Sequence, residues 1–563
     1  MLEVELLDCP PGFTLSNDFK CACLASTYVG HLRCDSLHSY LLHGYWVGRI
    51  KMSNRSELAT SACRFCDYGN STSSSSEVVL PRTYSELNKV VCGDTRTGIA
   101  CGRCQENYTV HFHSPGFLCK PAEPAGCKFG WFFYILSELI PLTVVFICVL
   151  ILNIRFTSGA TNGFILFSQL LGTFDIDASG IAAFSDSVKH QINDWTQGYQ
   201  VIYGIFNLNL FNFEPLSFCL WKGASALDML AFKYFSILYI LLLIMLVVWI
   251  MNKCGGRCCG RYCRITTVKA SVVHGISTFF VMCYAQCLSV SLGLLVHMDV
   301  GVKEGSDFKP YTRVWLNGEL VYFSKEHLPY ALPALFCLLI VGLLPPALLL
   351  SYPLLSNVMA FLGFHDHSTV NFIPQKLLVS YLKPLLDSIQ SCFKDNLRFF
   401  AGLYFLYRWT VPLAYVSSTN FSSYYTATGG ILICILVLHA LCQPYIKRAH
   451  NIIDTLLLAN LMFINYLSFV NYSRSQGYEL KGTQYGVTTS PAIVQLILIY
   501  LPLLVMGVYL LVSFYKFVIK HGCKSQNLAA DAMTNKLRGL IKPLNRKNKE
   551  DDEELPYRLL HEI

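Results

Sequence analysis

Charge is what this sequence has least of. Only 14% of its 563 residues are Asp, Glu, Lys or Arg, against about a quarter in soluble globular chains. Hydrophobic residues make up 53%, with mean hydropathy +0.42, so a polytopic membrane protein is expected. Catalytic signatures are missing as well. No Gly-x-x-x-x-Gly-Lys-Ser/Thr, no His-Glu-x-x-His and no Gly-x-Ser-x-Gly falls on a plausible strand–turn–helix. Neither an enzyme nor a cofactor is therefore expected. The net charge of +8 does not form one basic face; Lys and Arg gather in loops beside apolar runs, which points to membrane topology and away from nucleic acid. The opening MLEVELLDCPPGFTLS has neither the basic start nor the apolar core of a signal peptide. Because a cysteine-dense segment follows it, the chain is expected to continue a longer gene product.

Cysteine is unevenly placed. Eleven of 24 precede Lys128: Cys9, Cys21, Cys23, Cys34, Cys63, Cys66, Cys92, Cys101, Cys104, Cys119 and Cys127. That density, among turn formers such as CPPGF and HSPGF, points to a small loop-and-hairpin domain held by disulfides in an oxidising compartment. Eleven is odd, and Cys219 in EPLSFCLWKG is the candidate twelfth partner, the alternative being a buried free thiol. The spacings Cys63-x-x-Cys66 and Cys101-x-x-Cys104 also fit zinc, but the sequons around them favour bridges.

Phe129 to Ile154 reads FGWFFYILSELIPLTVVFICVLILNI, 26 residues with one charge. At about 1.5 Å per residue that is enough to cross a hydrocarbon core about 30 Å thick. Further runs lie at 229–251, 272–297, 329–352, 398–417, 428–442, 452–471 and 492–519, and a short, almost uncharged one at 161–174. Counting the last gives nine spans. The loop at 252–270 carries Lys253, Arg257, Arg261, Arg264 and Lys269 with no acidic residue, which makes it cytosolic. The sequons at Asn54, Asn70, Asn107, Asn420 and Asn471 must be luminal to carry glycans. Nine spans with the N-terminus outside put every sequon outside and every basic cluster inside. The expected architecture is thus an all-α transmembrane bundle of about nine helices over 128–520. It follows a disulfide-rich extracellular domain over 1–127 and precedes a cytosolic, largely disordered tail over 521–563.

Several candidate sites follow from that topology. Cys254, Cys258, Cys259 and Cys263 lie among arginines beside the cytosolic face, where thiols are reduced and within reach of acylation. Charged and polar residues inside spans are costly and so mark function or structure: Glu138, Arg408, Asp454, Asn460 and Asn465. Arg408 calls for an acidic partner, Glu138 or Asp454. Asp454 and Asn465, three turns apart, share a helix face that could line an ion path, although interhelical hydrogen bonds need the same residues. Lys233 is expected to reach for the interface. Pro333, Pro345, Pro346, Pro412 and Pro502 could kink spans. Tyr557 to Leu560, YRLL, fits a tyrosine-based sorting signal.

The pieces CPPGFTL, TGIACGRCQENYTV, TNGFILFSQ, YGIFNLNLFNFEPLSFC, RVWLNGELVYFSKEHLPYAL, YLKPLLDSIQSCFKDNLRFFAGLYFLYR and QPYIKRAHNIIDTLLLANL, in that order, resemble a large uncharacterised family of polytopic membrane proteins abundant in invertebrates. The resemblance implies a cysteine-rich ectodomain joined to a multi-span bundle, sometimes behind a larger extracellular part, and supplies no activity. In layout alone the chain is similar to fungal TRP-like membrane proteins, with an ectodomain ahead of about nine spans. The reading that follows is a multi-pass plasma-membrane protein, receptor-like or adhesion-like, that sits in the lipid bilayer and binds an extracellular ligand or protein. The second reading is an ion channel or transporter using Arg408, Glu138, Asp454 and Asn465.

Overall fold

The computed structural model describes residues 77–151, 159–171, 217–254, 265–304, 307–351, 383–418, 421–475 and 493–508. It also describes the shorter pieces 9–11, 13–15, 21–23, 32–35, 38–42, 45–52, 55–63, 65–66, 204, 511–512 and 515. The chain is mostly helical, and among the described residues strands lie in two stretches, 13–121 and 297–321.

Six disulfides join Cys9–Cys21, Cys23–Cys34, Cys63–Cys66, Cys92–Cys101, Cys104–Cys119 and Cys127–Cys219. All twelve cysteines expected to form bridges are in them. The last bridge ties the foot of the N-terminal domain to the start of a later helix. It places the backbone of Cys219 and Leu220 against Gly130, where a Cβ would come within 2.7 Å of Leu220 Cα. Only glycine permits that approach.

Short antiparallel pairs make up much of the N-terminal domain: β1 (Phe13–Leu15) with β2 (Cys21–Cys23), β3 (Leu32–Cys34) with β4 (Ser39–Leu42) and β7 (Glu77–Val79), β8 (Arg96–Thr97) with β9 (Arg103–Cys104), and β10 (Tyr108–Val110) with β11 (Cys119–Pro121). The largest sheet is built differently. Strands β5 (Tyr45–Met52) and β6 (Arg55–Ala62) are joined by β12 (His297–Glu304), β13 (Asp307–Val314) and β14 (Asn317–Val321), in the order β14-β13-β12-β6-β5. The joint is antiparallel, with Ala59 opposite Val302 and Thr60 opposite Gly301. β12 alternates as a half-buried strand should: Met298, Val300 and Val302 are buried. Three of the five strands thus come from the segment between two long helices, and the folded domain is not confined to residues 1–127. One apolar core runs from Trp46, Leu58 and Val91 through Val300 and Val314 to Phe232, Val290 and Leu294 at the helix ends.

Six helices are long and apolar enough to cross a membrane: Gly130–Ile147, Ala226–Val247, Gly275–Leu295, Leu328–Ser351, Ser422–Cys442 and Arg448–Val470. The helices Gly159–Leu171 and Phe400–Ser417, and the apolar helix Ile493–Val508, do not meet that measure. The chain is therefore a multi-pass membrane protein with six such helices among the described residues, and the count of about nine is not confirmed. Gly275–Leu295 is 67% buried against 22–39% for the other five, so it is the central helix. Exposed Leu242, Met245, Phe336 and Leu456 give the surrounding helices the apolar outer face that lipid requires.

Two helices contain π turns, Ile135–Leu139 and Leu338–Leu343, and each lies just before proline, Pro141 or Pro345 and Pro346. Proline has no N–H to donate one turn back. Pro346 thereby leaves the Gly342 carbonyl to other donors, and Tyr284 Oη (2.7 Å) and Trp409 Nε1 (3.1 Å) take it. The proline at 346 thus fixes three helices together.

Candidate functional site

Among the described residues, three clusters of polar side chains lie at the domain–helix junction and within the bundle. The first is a polar cleft of about 650 Å³ where the domain meets the helix ends, lined by Arg103, Glu106 and Asn107, by Lys222 and Asp228, and by Glu326 and Tyr330. Helix Ala226–Cys254 starts there with a reciprocal cap: Ser225 N and Oγ donate to Asp228 Oδ2 at 2.9 and 2.7 Å, and Asp228 N donates back to Ser225 Oγ at 3.2 Å. The other oxygen, Asp228 Oδ1, accepts from Tyr330 Oη at 2.6 Å, joining the start of helix 328–351. Thr109 Oγ1 donates to the Trp221 and Ala224 carbonyls at 3.2 and 3.4 Å and accepts from Ala224 N at 3.0 Å. Asn107 is exposed at this rim in a left-handed turn (φ 68°), within 3.5 Å of Lys222 Nζ.

The second place is the π turn of the first long helix. Glu138 is 2% exposed; its Oε1 accepts from Ser236 Oγ at 3.1 Å, and Tyr134 Oη lies 2.9 Å from the same hydroxyl. His113, reaching in from the disulfide-linked domain, has Nε2 at 3.5 Å from Glu138 Oε2. Burial first, and the Lys233 charge second, push His113 down to about 3. Lys233 is partly buried beside this group.

The third place lies inside the bundle and is organised by Tyr404. Arg408 is fully buried; its Nε donates to Gln169 Oε1 and its Nη1 to the Tyr404 carbonyl at 2.6 Å. The Tyr404 hydroxyl donates to Asp454 Oδ2 and lies 3.1 Å from His439 Nδ1, which is itself 3.5 Å from Asp454 Oδ2. Arg408 Nη2, Asp454 Oδ1 and His439 Nε2 have no protein partner among the described residues. Gly163 faces the Asp454 carboxyl so closely that a Cβ would lie 2.8 Å from its Cγ. The almost wholly buried helix Gly159–Leu171 therefore contributes both a glycine that admits Asp454 and a glutamine that holds Arg408.

This arrangement differs from the expected ion pair. Among the described residues no carboxylate lies within 4.0 Å of Arg408; Glu138 belongs to a different cluster, and Asp454 is linked to Arg408 only through Tyr404. Asn465 donates to the Tyr425 carbonyl at 3.0 Å and Asn460 to the Leu498 carbonyl at 2.7 Å. These are interhelical hydrogen bonds, and among the described residues Glu138, the Arg408–Tyr404–Asp454 group and Asn465 have separate sets of hydrogen-bond partners. Gln169, Tyr404 and His113 went unnoticed in the sequence because neutral and aromatic residues carry no cost signal there. For Gln169 the sequence holds one clue, a glutamine close behind the apolar run FILF in TNGFILFSQ.

The remaining candidates are only partly visible. The CxxC sulfurs are held in bridges 63–66, 92–101 and 104–119, which leaves no thiolate there for zinc. Cys254 ends its helix and Asn471 lies in helix Arg448–Ser475, with only their backbones described. Asn54, Asn70, Asn420, Cys258, Cys259, Cys263, Tyr557 and Leu560 lie outside the described residues. Comparison of the chain with family models, curated proteins and solved structures finds no match.

Proposed function

We propose that this multi-pass membrane protein is receptor-like, sits in the plasma membrane with its disulfide-rich domain outside and its C-terminus in the cytosol, and takes its ligand in the polar cleft. The observation that carries the reading is the shared five-stranded sheet. β12 begins at His297, two residues after the central helix ends at Leu295, and helix 328–351 follows β14 closely. A ligand that draws Arg103 and Glu106 toward Lys222 and Glu326 therefore pulls on three helix ends at once. A domain on a flexible tether would transmit nothing of the kind.

The topology rests on a parity argument. Cys127 and Cys219 are bonded, and the crossing helix Gly130–Ile147 lies between them, so the chain returns across the bilayer before residue 219. Between Ile151 and Cys219 lies the described helix Gly159–Leu171. Its 13 residues span about 20 Å. With it, nine crossings result, and Asn107 lies exposed on the outer side as a glycan acceptor.

The second reading, a channel or transporter, is favoured by one observation: the buried Arg408–Tyr404–Asp454–His439 group inside the bundle. Two measurements separate the readings. Charge reversal of exposed Glu106 and Glu326 to Lys should abolish capture of a secreted partner by cells displaying the full chain; undiminished capture contradicts the cleft assignment. Reconstituted protein should pass no current in a planar bilayer. A current whose selectivity changes on Asp454→Asn would establish the channel instead.

A further inference from the structure

The disulfide-rich domain holds two bridges so close together that their sulfurs nearly form one cluster. Cys66 Sγ lies 3.5 Å from Cys101 Sγ, and Cys63 Sγ lies 3.9 Å from it, although Cys63 is bonded to Cys66 and Cys101 to Cys92. Cys101 and Cys92 are fully buried, and of the CxxC pair Cys66 is the more accessible. Cys101 is held by two consecutive residues in the left-handed region, Ala100 (φ 50°) and Cys101 (φ 56°), a costly conformation for residues with a Cβ. A buried guanidinium completes the site. Arg96 Nη1 donates to the Cys101 carbonyl at 3.1 Å, Nη2 to the Phe117 carbonyl, and the cation sits 4.0 Å over the ring of Phe65, inside the CxxC loop. A permanent positive charge at this position favours thiolate over thiol.

We propose that Cys63, Cys66, Cys92 and Cys101 form a thiol–disulfide exchange site whose substrate class is a small dithiol reductant. The dithiol attacks the accessible Cys66 sulfur, its second thiol resolves the mixed disulfide, and it leaves oxidised, with Cys63 and Cys66 as thiols. The Cys66 thiolate then attacks Cys101. A Cys66–Cys101 bond forms, the Cys92–Cys101 bond breaks, and Cys92 departs as a thiolate that takes a proton from water. The second step involves no net oxidation. Its consequence is mechanical: Cys92 ends the helix Tyr84–Cys92, and the segment it releases is seated on the β13–β14 hairpin, where Ile99 N donates to Glu319 Oε1 at 3.1 Å. The exchange chemistry does not depend on the receptor reading.

Full-length protein in detergent, treated with rising dithiothreitol, quenched with acid, alkylated and mapped by mass spectrometry under non-reducing conditions, tests this. The expected product carries alkyl groups on Cys63 and Cys92 and a peptide linked through Cys66–Cys101, appearing before the Cys104–Cys119 and Cys127–Cys219 bridges open. Cys63→Ser should give the same Cys66–Cys101 link and free Cys92 without any reductant. Alkylation of Cys63 and Cys66 together with an intact Cys92–Cys101 bridge overturns the proposal, as does a free Cys66 beside that bridge in Cys63→Ser.

Discussion

Gly163→Ala probes the packing around Asp454 most sharply. The added methyl would sit against Asp454 Oδ1, 2.8 Å from Cγ and 3.2 Å from Cβ. The carboxyl cannot swing aside cheaply, because its Oδ2 accepts from Tyr404 and lies 3.5 Å from His439 Nδ1. Helix 159–171 must then retreat from helix 448–475 or the Tyr404 bond must break, and overpacking of this kind costs about 1–3 kcal/mol. Against it stands the preference of a helix for Ala over Gly, roughly 0.5–1 kcal/mol. Gly430→Ala isolates that opposing contribution, since among the described residues nothing beyond its chain neighbours and its own helix backbone lies within 4 Å of a Cβ there. The two variants should therefore differ by about 1–3 kcal/mol, Gly163→Ala melting below the parent protein and Gly430→Ala at or above it. Thermal unfolding of purified protein in detergent, followed by tryptophan fluorescence, reads both. In the background of Asp454→Ala the methyl should cost much less. Equal melting temperatures for the two glycine variants would refute the close approach.

Gln169→Leu strips a hydrogen bond from a buried cation and should cost about 1.5–3 kcal/mol, while Arg408→Met combined with Gln169→Leu should recover most of it; unfolding of the single and double variants checks this. Cys219→Ser opens a bridge with a sequence separation of 92. It should lower stability by at most roughly 4–5 kcal/mol, with Cys127 becoming alkylatable in mass mapping. His113 stays neutral in the fold down to about pH 3 but titrates at 6.5 when unfolded. The unfolded chain therefore binds the extra proton between these values, and stability present above pH 6.5 is lost as pH falls toward 3, at on the order of 1 kcal/mol per unit. His113→Phe should flatten that slope in stability measured between pH 4 and 7.

Much of the membrane architecture was legible because hydrocarbon imposes a simple rule on composition. Phe129 to Ile154 stood out by length and lack of charge, and the structure puts a crossing helix at Gly130–Ile147. Eleven cysteines before Lys128 pointed past the domain for a twelfth, and Cys219 is bonded to Cys127. What the sequence concealed was non-local. HMDVGVKE alternates as a strand should, but nothing in it says that its partner is β6, some 240 residues earlier. Arg408 drew attention to acidic residues because a charge in lipid demands compensation. A glutamine and a backbone carbonyl accept from its Nε and Nη1 instead, and neither choice leaves a compositional mark. The short run at 161–174 looked marginal by length, since its value lies in what it packs against.

The central claim is that the N-terminal domain and the connector between two crossing helices form one sheet. The register Ala59 opposite Val302 makes it directly testable: Ala59→Cys with Val302→Cys, oxidised on intact cells and mapped by mass spectrometry. A 59–302 cross-linked peptide in high yield is expected. Recovery of both new cysteines as separately alkylated thiols, with the six native bridges intact, would contradict it.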